Sequence, residues 1–154
     1  MATRGFEFGY SLDGSNATPV IRDFTLGVAA AHAKGDLMVM QSDGYLDQAA
    51  ATATEVTCVC QETLAAAAIT AGTTKAKCAI ITKNQVWRCS ADTTTLTGVI
   101  GYTKANDIVD CNTIDGDNID HGPCIIVESD ATNVDESGNV IAYVCFPDTT
   151  FGNA

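Results

Sequence analysis

With 154 residues, 46% of them apolar and 18% charged, the chain has the makings of one domain with a real core and a surface built largely from Thr, Ser, Asn, Gln and Ala. A net charge of −11, with five lysines and three arginines scattered along the sequence, argues against nucleic-acid binding, which needs clustered cations to displace counterions from phosphate. No stretch approaches the about 20 consecutive apolar residues of a membrane span. The start, Met1 to Phe8, lacks the apolar region of a secretory signal, so synthesis in the cytoplasm and no membrane partner are expected.

Residues 1–24 differ from the remainder of the chain. Phe6, Phe8, Tyr10 and Phe24 are spaced by Gly5, Gly9, Asp13-Gly14 and Pro19, with no long periodic pattern. The segment reads as an extended N-terminal arm whose aromatics dock on a partner. The competing reading is an ordinary first strand of the domain itself. On the arm reading, residues 25–154 form the β-domain, and deleting 1–24 leaves it folded. Asn16-Ala17-Thr18 fits a glycosylation sequon, which without a secretory route is accidental.

From Gly35 onward the signals are those of short strands. Gly35 to Met40 runs into the turn Ser42-Asp43-Gly44, then Tyr45-Leu46. Val56 to Cys60, Lys77 to Thr82, Val86 to Cys89, Gly98 to Tyr102, Cys124 to Glu128 and Val140 to Phe146 come next, with turns at Ala71-Gly72 and Lys83-Asn84. The runs lie about 8–15 residues apart, as in a sandwich or barrel. The alanine-rich stretches 48–54 and 64–71 favour helix intrinsically but are too short to stand alone, so loops or single helical turns are expected. Ser90 is placed to cap a short turn over 91–96. Asp107 to Gly122 reads as a long exposed acidic loop. Asp135 to Gly138 reads as a hairpin turn with glycine at the position needing positive φ. The tail after Pro147 is expected on the surface, anchored by Phe151.

Seven cysteines, at 58, 60, 78, 89, 111, 124 and 145, are an odd number in a chain of cytosolic appearance. Cys58 and Cys60 share one face of a strand, and their spacing is not that of a zinc knuckle. Buried free thiols acting as small hydrophobes are expected, with one or two disulfides or a metal as alternatives. His32 and His121 are the only histidines, and neither lies in a motif that couples it to a nucleophile. Asp115, Asp117, Asn118 and Asp120 offer calcium-type oxygens, but Ile119 stands where the third acidic ligand belongs. Asn133, Asp135 and Ser137 fit the opening of a calcium loop better, yet Val144 occupies its twelfth position. No phosphate loop, dinucleotide fingerprint or Gly-x-Ser-x-Gly elbow occurs. Trp87, in an apolar run, reads as core or interface before sugar platform. No enzyme activity, cofactor or metal is expected.

The layout from Lys34 onward, with Gly35-Asp36-Leu37-Met38-Val39, Asp43-Gly44-Tyr45-Leu46, an alanine-threonine stretch, the strand at Val56, the turn at Gly72 and the late portion Gly122 to Phe146, resembles the small β-rich head decoration, or cement, proteins of tailed bacteriophages. The resemblance implies an all-β barrel or sandwich with few or no short helices. It implies a homotrimer on the outer surface of the virion head that binds the major capsid protein and stabilises contacts between its subunits. Phe6, Phe8, Tyr10 and Phe24 would be the partner-binding residues. Another minor virion structural protein, or a β-sandwich module for a ligand such as a carbohydrate, is the alternative.

Overall fold

The fold is a computed structural model that describes residues 5–93, 108–116, 122–135 and 138–151. Eleven strands are present among them: β1 (Glu7–Ser11), β2 (Ile21–Thr25), β3 (Leu37–Met40), β4 (Leu46–Gln48), β5 (Cys58–Cys60), β6 (Lys75–Ile80), β7 (Gln85–Ser90), β8 (Ile108–Asp110), β9 (Thr113–Ile114), β10 (Ile125–Val134) and β11 (Val140–Cys145). A single 3₁₀ turn, Ala66–Ala68, interrupts them, as the alanine content of that stretch suggests. The chain is all-β.

One sheet has the order β1-β7-β11-β10 and a second the order β2-β6-β5-β3-β4, while β8 and β9 form a small hairpin. Every pairing within the sheets is antiparallel. The two sheets share one core. Phe6, Trp87, Ala142 and Val144 reach it from the first sheet, and Leu37, Val59 and Ala79 from the second. Ile108 and Ile114 join the same core from the small hairpin. The hairpin is tied to β7 by the parallel bridge between Ala91 and Ile114. This contradicts the long exposed loop expected over 107–122, at least for 108–116. Two isoleucines six residues apart, at the two ends of a tight turn, meet across the ladder and drive it inward.

Within the second sheet β5 is buried on both faces, which explains why it reads as an apolar run rather than an alternation. Val59 faces the central core, while Cys58 and Cys60 face a second cluster with Met38, Ala76 and Cys78. Leu26 and Ile69, from the segments flanking the sheet, cover that outer face. Gly44, Gly72 and Gly138 adopt positive φ at three of the four expected turns. The Asp135 carboxylate accepts the Asn139 N–H at 2.9 Å, closing the last of these turns from its base.

Residues 5–24 are not an arm. β1 pairs with β7 in the first sheet and β2 pairs with β6 in the second. Phe6 is 1% exposed and packs on Phe146 with ring centroids 5.7 Å apart. The ordinary-strand reading prevails because an aromatic that alternates with Phe8 finds a core position that no later residue fills. The entry of β1 is fixed by a close backbone crossing. Phe6 N–H donates to the Gly35 carbonyl at 2.8 Å, and a Cβ on Gly5 would stand 2.8 Å from the Gly35 Cα. Gly35 itself has φ of 100°, which a side chain would strain.

The tail is also part of the sheet structure. Val56 forms a parallel bridge with Thr149, and the buried Thr57 hydroxyl lies 2.7 Å from that of Thr150. Ser90 ends β7, with its hydroxyl buried and without a hydrogen-bond partner among the described residues, while 94–96 of the turn expected after it lie outside them. The expected run 98–102 lies outside the described residues.

Candidate functional site

The four aromatics expected at a partner surface are split by the fold. Phe6 is in the core. Phe8 is half-buried and meets Trp87 edge-on at 5.7 Å. Phe6 is spent on internal packing, which corrects its assignment as a partner contact, whereas Phe8 stays partly exposed. A Gly9 bulge in β1, where the register shifts between Phe8 and Tyr10, turns Tyr10 to the exposed face of the first sheet. There the Tyr10 ring lies 6.3 Å from that of Tyr143, and its hydroxyl donates to Glu128 at 3.1 Å. Partial burial, and then the Glu128 carboxylate, push the Tyr10 phenol up. Phe24, half-buried at the end of β2, stacks on the exposed Phe151 at 6.0 Å.

Apolar residues between these aromatics, which the sequence does not single out, are bare. Val20 is 50% exposed and Ile21 45% exposed, and Leu12 stands exposed after β1. Ile21, Arg22 and Asp23 are all exposed, so the first three residues of β2 bury neither face. β2 is at the edge of its sheet, paired only with β6 among the described residues. A short edge strand of this kind presents unpaired backbone groups and bare side chains together. The signal in the sequence was Val20-Ile21 directly after Pro19, too short a run to separate from a loop.

Between the edge strands β1 and β2 the sandwich stays open as a cleft of about 540 Å³. Phe6, Phe8 and Trp87 line its inner side, Pro19 and Ile21 its outer side, and Lys34 is among its lining residues. Lys34 is exposed and makes no ion pair with any described residue, whereas Glu7, the carboxylate of the cleft, lies 3.7 Å from the Arg88 guanidinium. Trp87 is thus both core and cleft wall. A second recess of about 260 Å³ is lined by His32, Asp47 and Gln48. His32 is 3% exposed, and neither ring nitrogen has a hydrogen-bond partner among the described residues. Asp47 Oδ1 is likewise buried without one among those residues.

The thiols are poorly placed for chemistry. All seven are free, and Cys60 sits directly opposite Cys78 across β5 and β6. Hydrogen bonding to Cys78, and then burial, push the Cys60 thiol up. The Cys58 thiol, together with burial, pushes Cys78 up against a smaller opposite pull from Cys60. Burial raises Cys89 well above the ordinary range, and burial with the Asp36 and Asp110 carboxylates pushes Cys111 up to about 12. A thiol held protonated is a poor nucleophile and metal ligand. Among the described residues no group of three or more His, Cys, Asp or Glu is arranged to hold a metal. His121, Asp117, Asn118, Asp120, Ser137 and the side chain of Asn133 lie outside the described residues, and with them most of both calcium-type clusters. No family model, no curated protein and no solved structure matches this chain.

Proposed function

We propose that the chain is a capsid decoration protein that binds the outer surface of an assembled viral head and clamps neighbouring major capsid subunits without turnover of substrate. The observation that carries this reading is β2: an edge strand whose first three residues, Ile21 to Asp23, are exposed on both faces, with Val20 exposed before them. Such a strand is covered when another chain adds to it or packs across it. The scarcity of charge supports a surface meant for burial against protein. The Phe24–Phe151 stack at the end of β2 extends the apolar area, and aromatics contribute large contact area at low entropy cost. A trimer would place three such surfaces on one lattice point, so that the second and third contacts become intramolecular. Binding only the assembled lattice stabilises it by mass action.

The test is pelleting of the full chain with expanded heads built from the major capsid protein encoded nearest to it. Saturable co-sedimentation, and heads that withstand higher temperature when decorated, are expected. Protein that stays in the supernatant at all concentrations would contradict the proposal.

A further inference from the structure

We propose that the cleft between β1 and β2 is a binding site for a small amphipathic carboxylate, a molecule with an aliphatic or aromatic body and one anionic head. This does not depend on the capsid reading. The volume, about 540 Å³, lies within the roughly 300–1,000 Å³ of small-molecule sites. Its walls specify the body. Phe8, Pro19 and Ile21 offer apolar surface, and the buried Trp87, Phe6 and Ala79 back the inner side. Lys34 specifies the head. Its ammonium has no ion-pair partner among the described residues, so a carboxylate there would gain the contact without displacing another. The Glu7 carboxylate, which would otherwise repel an anion, has the Arg88 guanidinium beside it. The close crossing of Gly5 and Gly35 keeps this end of the cleft free of side chains and fixes Lys34 next to it. A cation would meet the same ammonium and be repelled. A neutral body would gain the walls alone.

The experiment titrates the full chain with decanoate, decanol and decyltrimethylammonium below their aggregation concentrations. Calorimetry measures affinity, and the emission of Trp87, the single tryptophan, reports occupancy of the cleft. Decanoate is expected to saturate and shift the emission, binding about five- to tenfold more tightly than decanol. Lys34→Met, an exposed change checked for an unaltered melting temperature, should bring decanoate to the level of decanol. Ile21→Asp should weaken both. Absence of saturation by decanoate to about 1 mM (about 4 kcal/mol of affinity) overturns the proposal. So does equal or tighter binding of decyltrimethylammonium, or a decanoate affinity unmoved by Lys34→Met.

Discussion

At the residue scale, single side chains hold positions that the surrounding packing leaves no freedom to change. Trp87 is buried against Phe8 and is part of the core shared by both sheets. Trp87→Ala is expected to cost about 3–5 kcal/mol, measured by denaturant unfolding. Gly35→Ala combines a strained φ with a clash: its Cβ would stand 2.9 Å from the Gly5 Cα. A loss of about 1–3 kcal/mol is expected there, whereas Gly14→Ala, at positive φ but in open space, should lose less. The thiols give a third expectation. Cys58, Cys60, Cys78, Cys89 and Cys124 are buried and Cys111 and Cys145 half-buried. An aromatic disulfide reagent at neutral pH should therefore leave the native protein largely unmodified, and all seven thiols should react once it is unfolded. Rapid native reaction of two or more thiols would show that burial is weaker than described. The shared face of Cys58 and Cys60 was legible in the sequence, because period two alone places them together. The pairing of Cys60 with Cys78 was not, because it depends on register between strands joined by a long connection.

At the scale of elements, β1 and β2 decide how the molecule is built. Both come from the segment that the sequence alone leaves open between arm and strand. Aromatics at alternate positions are equally compatible with docking on a partner and with pairing to β7. Only the long-range fit of Phe6 against Phe146 decides between them. Deleting 1–24 is accordingly expected to leave the chain unfolded, read by loss of cooperative thermal unfolding. The deletion strips an edge strand from each sheet and uncovers the core around Phe6. One buried Phe removed costs about 3–5 kcal/mol, a large share of the about 5–15 kcal/mol that holds an ordinary domain together. The later runs, from β3 to β7 and at β11, were legible because they combine β-branched or apolar runs with glycine turns at Gly44, Gly72 and Gly138. The inward turn of β8 and β9 was hidden by acidic neighbours. Asp107, Asp110 and Asp115 dominate the composition of a stretch whose two isoleucines do the packing. The cleft was illegible for a further reason: its lining is gathered from segments as far apart as Phe6, Ile21, Lys34, Ala79 and Trp87, which only the pairing of β1 with one sheet and β2 with the other brings to one place.

At the scale of the whole molecule, burial of thiols couples stability to alkaline pH. Cys60, Cys78 and Cys89 are buried with raised pKa, so in the folded state they keep their protons. Above about pH 8.5 the unfolded chain releases those protons while the native chain retains them. The unfolded state then binds fewer protons, and stability falls with rising pH. The contribution is fully present below that pH and declines at up to about 1.4 kcal/mol per pH unit for each thiol. A melting temperature that falls steadily above pH 9, and falls less in a Cys89→Ala variant relative to its own neutral value, is expected. The proposed function makes the molecule a subunit of a trimer, which the small share of charged residues and the exposed edge strand support. Light scattering on the full chain should give three times the chain mass.

The proposed function requires β2 to be a surface that another protein covers. Amide hydrogen exchange of residues 20–25, measured with the chain free and then bound to expanded heads, tests this most directly. Exchange slowed at least about tenfold in β2 on binding, with the interior strands β5 and β6 unchanged, is the predicted result. Heads that retain the protein while 20–25 exchange as fast as in the free chain would contradict it.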